Sequence, residues 1–295
     1  MIRKAIVPMA GLGTRLYPIG VVIPKGLMPF VLPNGVLTTG LQLIAETLIA
    51  AGVEQIGVVV SPENRPVYEA FLEGGGARYA PARAKRPEMQ RAYESLQTIR
   101  CRLTFIEQPE LWGLGHAVWC ARVFADGEPT LVFLGDHIPL PLGDPEPIRQ
   151  IADAFEARHH PVYGVHRVPT NKVSLYGILQ GEPTGTPRLH RLLQLYEKPT
   201  PEYALQYLHT VSLPPSEFFA HSGVYAFPSS LWSALEQLAA EYDPTQGEWT
   251  LTQAQQRLLQ QMPAYLCETE HHWLDFGTAH EYRQTFCYLA ECHDV

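Results

Sequence analysis

The segment best suited to chemistry lies close to the amino terminus. An apolar run typical of a buried strand is followed at once by Gly11 and Gly13. Because glycine has no Cβ atom, successive backbone N–H groups in such a loop can turn toward a bound anion. Thr14 and Arg15 add a hydroxyl and a permanently charged guanidinium, and both groups suit phosphate. With Lys25 ten residues after Arg15, the segment predicts a polyphosphate site at the carboxyl edge of a sheet.

Two better-known glycine loops do not fit this segment. The dinucleotide-binding motif G-x-G-x-x-G requires a third glycine, but Leu16 follows Arg15, and the second predicted strand ends at Ser61 rather than at an acid. The P-loop motif G-x-x-x-x-G-K-[ST] does not occur in the sequence. The remaining alternative is a glycine turn whose surface cations are incidental.

A carboxylate follows another predicted strand. The apolar run from Thr130 to Leu134 ends in Gly135 and Asp136. A carboxylate is costly to bury there unless it is solvated or paired, and a phosphate-bound Mg²⁺ is a common partner. Asp136 is therefore predicted to bind Mg²⁺, whereas the neighbouring His137 is a poor ligand for a hard cation and is left out of the predicted set.

Gln108 and Gly113 have the chemistry of a nucleobase site. An amide at the end of a strand offers both a donor and an acceptor to the edge of a base, and glycine lets a base or ribose lie against bare backbone. The alternative is an ordinary βα turn in which glycine serves packing.

Glu197 and Lys198 have the chemistry of a sugar-phosphate site. The carboxylate can accept from sugar hydroxyls and the ammonium can meet the phosphate, while Gly177 on a preceding strand lets a sugar ring approach closely. The alternative is a surface pair of opposite charges at the end of a strand.

These elements occur in the order found in a known family. The motifs are A-G-L-G-T-R from Ala10, I-P-K from Ile23, Gln108 five residues before G-L-G-H-A-V, G-D from Gly135, Y-G-I from Tyr176, E-K-P from Glu197 and L-D-F-G-T from Leu274. Over nearly its whole length the chain resembles the sugar-1-phosphate nucleotidyltransferases, and among them the bacterial UTP:glucose-1-phosphate uridylyltransferases. The helical segment before Gln108 and G-L-G-H-A-V favour the uridylyl branch, whereas W-L-D-F-G-T is closer to the thymidylyltransferases.

The resemblance implies transfer of a uridylyl group from UTP to glucose 1-phosphate, which yields UDP-glucose and pyrophosphate. Because a sugar 1-phosphate is already an anionic nucleophile, the reaction needs in-line positioning and relief of charge repulsion rather than a general base. The implied site consists of the catalytic cations Arg15 and Lys25, a nucleotide-binding set of Ala10, Gly11, Gly13, Thr14, Gln108 and Gly113, a sugar-phosphate set of Gly177, Glu197 and Lys198, and the Mg²⁺ ligands Asp136 and Asp275.

Two positions depart from the family pattern. Gly26 stands where the family usually has the glutamate of P-K-E, and His221 and Ser222 lie near a position that is often asparagine. The first departure removes a carboxylate beside the glycine loop, and the second changes contacts to the sugar. Two alternatives therefore stay open: a thymidylyltransferase or other hexose-1-phosphate nucleotidyltransferase, and a non-catalytic regulator that binds a sugar nucleotide.

The order of predicted elements determines the fold class. The chain opens as strand, loop, helix and strand, which favours a parallel sheet. We predict an α/β protein with a three-layer α/β/α, Rossmann-like fold, a mostly parallel mixed central sheet, and a small β-rich insertion over residues 170 to 220 on the sugar side. Residues 1–295 are predicted to form one domain, with 1–168 mainly binding the nucleotide and 169–295 mainly binding the sugar phosphate.

Composition restricts the partners and the location. The formal charge of −8 argues against a nucleic-acid partner. No apolar run approaches the ~20 residues that span a bilayer, so no membrane association is expected. The five cysteines include no C-x-x-C pair and are expected to be reduced thiols, mostly in the core of a cytoplasmic protein. A homodimer or homotetramer is expected from the family.

Overall fold

The computed structural model describes residues 2–269 and 271–291. Its strands are β1 Lys4–Pro8, β2 Pro29–Val31, β3 Leu37–Thr39, β4 Gln55–Val60, β5 Leu103–Glu107, β6 Thr130–Phe133, β7 His137–Leu140, β8 Val162–Pro169, β9 Gly177–Pro183, β10 Leu189–Glu197, β11 Glu217–Phe227, β12 Tyr265–Glu268 and β13 His272–Asp275. Its helices are α1 Gly40–Ala50, α2 Arg65–Leu72, α3 Gly76–Arg83, α4 Pro87–Arg100, α5 Leu114–Cys120, α6 Arg122–Ala125, α7 Glu146–Arg158, α8 Pro201–Tyr207, α9 Ser230–Glu241, α10 Leu251–Gln261 and α11 Ala279–Glu291. Within these residues no helix has the length and apolar character needed to cross a bilayer.

The core has three layers. Successive side chains of β1 point to opposite faces of the sheet, so that Ala5 and Val7 pack with α1, α2, α4 and α7, whereas Ile6 packs with α5, α9 and α10. Both faces of the sheet are therefore covered by helices, as the near-continuous apolar character of β1 predicts. The predicted three-layer α/β/α fold is confirmed.

The central sheet has nine strands in the order β5-β4-β1-β6-β11-β8-β12-β10-β9. The pairs β5-β4, β4-β1, β1-β6 and β8-β12 are parallel, and the other four neighbouring pairs are antiparallel. The sheet is mixed, as expected, but its continuous parallel part is limited to the strands around β1. The long strand β11 runs antiparallel to both of its neighbours, β6 and β8.

The β-rich insertion does not form a separate layer. β9 and β10 continue the central sheet at its far edge, and β9 also pairs with the beginning of β11. The segment that was predicted to bind the sugar phosphate is thus hydrogen-bonded to the rest of the sheet.

Two short ribbons lie outside the main sheet. β2 pairs with β3, and β7 pairs with β13 in antiparallel register that sets His137 opposite Asp275. The second ribbon connects the middle of the chain to its end. It matters for function because it brings together two acidic segments that are far apart in sequence.

The expectation that the cysteines mostly fill the core is wrong for the described thiols. Cys101 and Cys287 are exposed and Cys120 is half-buried, whereas Cys267 is buried. Cys292 lies outside the described residues.

Candidate active site

Four ionisable side chains meet at the carboxyl end of β6. Lys25 Nζ donates a hydrogen bond to Asp136 Oδ2, and His137 Nδ1 lies 2.9 Å from Asp136 Oδ1. His137 Nε2 lies 3.9 Å from Asp275 Oδ2. Asp136, His137 and Asp275 each offer one ligand atom, and these atoms all lie within 4.8 Å of one another. Carboxylate oxygens are the ligands that Mg²⁺ prefers, so the two acids suit a divalent cation. We call Lys25, Asp136, His137 and Asp275 the acidic centre.

Three elements position the acidic centre. Asp136 follows β6, and Asp275 ends β13, which pairs with β7. The backbone N–H of Phe276 donates to the Asp136 carbonyl at 3.0 Å, which ties the two acidic turns to each other. Lys25 begins a single 3₁₀ turn after Pro24 and reaches the site from the amino-terminal loop.

The charges in the acidic centre depend on one another. Burial by itself would raise the pKa of Asp136, but the Lys25 ammonium and the His137 ring outweigh it and hold that pKa well below its usual range. Burial raises the pKa of Asp275, and the Asp136 carboxylate adds to this effect, while His137 opposes it. For His137, burial would lower the pKa, but Asp136 and Asp275 together raise it. The second carboxylate is therefore the less well compensated of the two.

Gly277 allows this close approach. A Cβ atom added there would lie 2.9 Å from Asp136 Oδ2 and 3.0 Å from Asp275 Oδ1. It would also lie 3.2 Å from Lys25 Nζ. Any side chain at this position would therefore push into the acidic centre. The sequence motif by itself indicates only a turn at this glycine.

The glycine loop follows β1, whose neighbours in the sheet are β4 and β6. Ala10 is buried, Gly11 is exposed with nothing within 4 Å of an added Cβ atom, and Gly13 has a φ of +65°, which favours glycine. Thr14 and Arg15 are exposed, and Arg15 makes no hydrogen bond or ion pair with the rest of the described chain. Its guanidinium is thus available to an anion.

The predicted nucleobase pair is in contact. Gln108 is buried, and its Nε2 donates to the Gly113 carbonyl at 3.1 Å, which leaves the amide oxygen as the group that can meet a ligand. Gly113 has a φ of +119°, and an added Cβ atom would lie 2.5 Å from the Trp249 carbonyl oxygen. The packing alternative therefore applies to Gly113, since the turn requires glycine, and its contact with a nucleobase stays a prediction.

The predicted sugar-phosphate residues lie at the edge of the sheet. Gly177 and Glu197 are cross-strand partners on β9 and β10. A Cβ atom at Gly177 would lie 2.9 Å from Glu197 Oε2 and 2.8 Å from His221 Cδ2. Lys198 follows with a φ of +49° and donates its N–H to the Tyr176 carbonyl at 3.0 Å. The Glu197 and Lys198 side chains are exposed, and neither makes an ion pair with another described residue.

The sequence profile of the family described as nucleotidyl transferase matches residues 4–291. The chain belongs to this family. A UTP–glucose-1-phosphate uridylyltransferase of Bacillus subtilis (strain 168) is 32% identical over 271 residues, which cover 90% of this chain and 83% of the relative. A second relative, the uridylyltransferase YngB of the same organism, is 30% identical over 237 residues, which cover 80% of this chain and 73% of that protein.

A solved structure has the same fold. The crystal structure of UDP-glucose pyrophosphorylase complexed with UDP-glucose matches with a TM-score of 0.77 and 23% sequence identity, and the match covers 97% of this chain and 98% of that one. The family predicted from the ordered motifs is confirmed, and so is the fold class.

In this nucleotidyl transferase, the packing around Gly26 accounts for the departure from P-K-E. A Cβ atom at Gly26 would lie 2.4 Å from Met9 Sδ and 2.8 Å from the Tyr68 hydroxyl. The Gly26 N–H donates to that hydroxyl at 3.3 Å, and Tyr68 is fully buried, which raises its pKa. The space that a larger side chain would need is filled by Tyr68 and Met9, while Lys25 still reaches Asp136.

The second departure places a neutral imidazole beside Gly177. Burial, with a smaller effect of His166 and His137, lowers the pKa of His221 to about 3. Its Nδ1 is buried and has no hydrogen-bond partner among the described residues. The ring is therefore a neutral group near the sugar-phosphate pair.

The structure brings the predicted residues into three groups. Lys25 joins Asp136 and Asp275, Gln108 joins Gly113, and Gly177 joins Glu197. The Arg15 and Lys198 side chains are exposed, and within residues 2–269 and 271–291 neither makes a side-chain hydrogen bond or ion pair with these groups. The sequence motifs do not indicate a role for His137 or Gly277, whose contacts with the acidic centre arise only when β7 and β13 pair.

Proposed function

We propose that the protein transfers a uridylyl group from UTP to glucose 1-phosphate and releases pyrophosphate. The observation that carries this proposal is the meeting of Lys25, Asp136 and Asp275 at one point of a nucleotidyl transferase fold. The names of the relatives supply the substrates: proteins called UTP–glucose-1-phosphate uridylyltransferase are about a third identical over most of the chain. A site with both acids and a lysine in contact favours catalysis over a purely regulatory role.

The cations of the chain counter the charge of the reacting phosphates in this proposal. Arg15 and the bare backbone around Gly11 and Gly13 bind the triphosphate, and Lys25 stabilises the charge that grows on the leaving pyrophosphate. The nucleophile is an anionic phosphate oxygen, so no side chain is needed to remove a proton. What the protein supplies is alignment of this oxygen with the α-phosphorus.

Glu197 and Lys198 hold the acceptor in this proposal. The carboxylate accepts hydrogen bonds from the hydroxyls of the hexose, and the ammonium meets its phosphate. Gly177 lets the Glu197 carboxylate and the His221 ring come close to each other, because a side chain there would collide with both. Gln108 and Gly113 contact the uracil.

Asp136 and Asp275 would hold Mg²⁺, which would neutralise phosphate charge and orient the two substrates. The donor set fits such an ion, since the acids converge and Asp275 is the less compensated carboxylate. Lys25 and His137 contribute to the same site by holding Asp136 in its ionised form.

A test offers UTP, dTTP, CTP, ATP and GTP separately, with glucose 1-phosphate and Mg²⁺, and measures pyrophosphate release. We expect turnover to be fastest with UTP. Fastest turnover with dTTP would mean a thymidylyltransferase, and UDP-glucose binding without turnover for any nucleotide would mean a regulator. A second panel with UTP and several hexose 1-phosphates identifies the sugar.

We further propose a cytoplasmic homodimer or homotetramer. The described cysteines are free thiols, which suits a reducing compartment. Light scattering after gel filtration checks the assembly, and a mass equal to one chain would contradict it.

A further inference from the structure

Trp249, in the carboxyl-terminal half of the chain, packs against the turn that carries Gln108 and Gly113. Trp249 lies in the segment between α9 and α10 and is 2% exposed. Its N–H donates to the Trp112 carbonyl at 2.6 Å, and its carbonyl accepts from the Gly115 N–H at 2.9 Å. Two backbone hydrogen bonds thus join this segment to residues on either side of Gly113.

The Trp249 indole also determines the shape of the turn. A Cβ atom at Gly115 would lie 2.5 Å from Trp249 Cδ1 and 2.7 Å from its Nε1. At Gly113, an added Cβ atom would meet the Trp249 carbonyl oxygen instead. Both glycines of G-L-G-H are therefore in contact with one tryptophan, which explains why the turn contains two of them.

Aromatic rings extend this contact around the turn. The Trp249 ring lies 5.8 Å from that of His116 and 5.5 Å from that of Tyr242. Trp112, in turn, lies 4.8 Å from His116 and 5.3 Å from Tyr242. Aromatic pairs at these separations add stabilisation beyond the area that they bury. The cluster therefore resists a shift of the Gly113 carbonyl.

The Gly113 carbonyl determines the orientation of the Gln108 amide. Gln108 Nε2 donates to this carbonyl, so a displacement of Gly113 would release or rotate the amide. His116 Nδ1 lies 2.7 Å from the Glu110 carbonyl and donates to it, which fixes the intervening residues of the turn. The Trp249 ring contacts Gly115 and lies beside His116, whereas its backbone contacts Gly113. The path from the ring to the Gln108 amide therefore runs through residues 113–116 of the turn.

We propose that Trp249 is a positioning residue for nucleobase selection, acting on Gln108 through residues 113–116 of the turn. This inference rests on the proposed function, in which Gln108 and Gly113 contact the uracil. It deepens that function by assigning base selectivity in part to the carboxyl-terminal half of the chain. Trp249 touches neither the acidic centre nor the sugar-phosphate residues within the described contacts, so its effect is confined to the nucleotide.

Two substitutions at Trp249 separate the effect of the aromatic ring from that of the indole N–H. Trp249 Nε1 is buried and has no hydrogen-bond partner within residues 2–269 and 271–291. Phenylalanine at this position would keep an aromatic ring and both backbone hydrogen bonds, and would remove the unpartnered donor. Alanine would keep the backbone bonds and remove the ring. A comparison of Trp249→Phe and Trp249→Ala therefore isolates the ring.

The experiment measures kcat and KM for UTP, CTP and glucose 1-phosphate. CTP is informative because it exchanges the donor and acceptor pattern at the base edge that an amide reads. For Trp249→Ala we expect KM for UTP to rise by roughly tenfold or more and the UTP-to-CTP ratio of kcat/KM to fall by a similar factor, since small misplacements cost this much. KM for glucose 1-phosphate and kcat at saturating UTP should stay within about threefold of wild type. Trp249→Phe should stay within about threefold in every parameter.

Two further variants keep the test decisive. Gly115→Ala places a methyl group against the indole and so displaces the turn without changing Trp249. It should therefore reproduce the rise in KM for UTP even if Trp249→Ala does not fold. Trp232→Ala removes another tryptophan from the same hydrophobic cluster and should not change the UTP-to-CTP ratio. Equal rises in KM for UTP and for glucose 1-phosphate would overturn the proposal, as would an unchanged ratio in folded Trp249→Ala or Gly115→Ala.

The outcome is separable from that of the proposed function. If the wild-type protein does not turn over UTP and glucose 1-phosphate, the proposed function fails, and the dissociation constants of UTP and CTP are measured by calorimetry instead. A selective loss of UTP affinity in Trp249→Ala would still support the positioning role. Unchanged affinity for both nucleotides would overturn it.

Discussion

Lys25 Nζ donates a hydrogen bond to Asp136 Oδ2 across 111 positions of sequence, and both side chains are less than one-fifth exposed. A buried pair of opposite charges stabilises a fold only modestly, because both ions lose their hydration. The pair therefore has more value for the site than for the fold. It keeps a carboxylate ionised and a lysine oriented where phosphate charge must be countered.

Replacement of the lysine tests this relationship directly. Lys25→Met keeps the apolar part of the side chain and removes the charge, and we expect kcat/KM to fall by more than ~100-fold, as for other lost electrostatic contacts. The melting temperature should also fall, because Asp136 loses its principal counterion. Lys85→Met, in the exposed turn between α3 and α4, is the control and should retain wild-type turnover. Near-normal turnover of Lys25→Met would remove this residue from the catalytic site.

The variant Gly277→Ala should distinguish a role of Gly277 in the acidic centre from a role in UTP binding. In Gly277→Ala the new Cβ atom would come within 3.0 Å of both carboxylates, so the centre must open. We expect kcat to fall by more than ~10-fold, while the dissociation constant of UTP without added metal changes less. Titration with Mg²⁺ should require a higher concentration for half-maximal turnover. An unchanged Mg²⁺ dependence would show that Gly277 serves only the turn.

The departure at Gly26 leads to a prediction about stability. Gly26→Ala forces Met9 or Tyr68 to move, and overpacking of this kind costs about 1–3 kcal/mol. We expect a lower melting temperature, and a partial recovery in Gly26→Ala/Tyr68→Phe, which removes the Tyr68 hydroxyl from the contact while Met9 remains. A glutamate at this position, as in P-K-E, should be tolerated less well than alanine. Wild-type stability of the glutamate variant would contradict the packing explanation.

Two buried histidines should make the protein less stable in mild acid. Burial is the main cause that lowers the pKa of His166 to about 4, with smaller effects of His137, His272 and Lys172. Burial also lowers the pKa of His221 to about 3, with smaller effects of His166 and His137. In the unfolded chain both side chains would have a pKa of about 6.5. Between pH 6.5 and about 4 the unfolded state therefore binds more protons, so the stability that is complete above pH 6.5 is lost as the pH falls.

The expected loss at pH 5 is about 2 kcal/mol for each histidine, since a difference of one pKa unit corresponds to about 1.4 kcal/mol. Urea unfolding at pH 7.5 and pH 5 measures it. His221→Gln should reduce the difference between the two pH values, whereas replacement of the exposed His280 by glutamine should not. Equal pH dependence in His221→Gln and wild type would mean that the ring is protonated in the folded protein.

The sequence predicted the site best where chemistry lies in contiguous motifs. The glycine loop and Asp136 could be proposed because each follows a predicted strand, whereas the roles of Lys25 and Asp275 were implied by the family resemblance; all of these roles stay predictions. The three-layer fold was predictable because β1 is apolar on both faces. These local patterns also sufficed for the family.

The sequence was less informative where the site depends on distant pairing. The ribbon of β7 and β13 was not predicted, because each strand has only four residues and β7 contains Pro139. His137 was excluded as a metal ligand when considered alone, yet its ring lies beside both acids. Trp249 gave no local signal, since its contacts are to a turn more than a hundred residues earlier. Such contacts follow only from the tertiary structure.

The most direct measurement compares UDP-glucose formation by Asp136→Asn and by Asp153→Asn, at saturating UTP, glucose 1-phosphate and Mg²⁺. Asparagine at position 136 can still accept from Lys25 but carries no charge, whereas Asp153 is exposed on α7. We predict that Asp136→Asn loses more than ~100-fold in kcat with an unchanged circular dichroism spectrum, and that Asp153→Asn matches wild type. Turnover of Asp136→Asn within about tenfold of wild type would contradict the claim that the acidic centre is the catalytic centre.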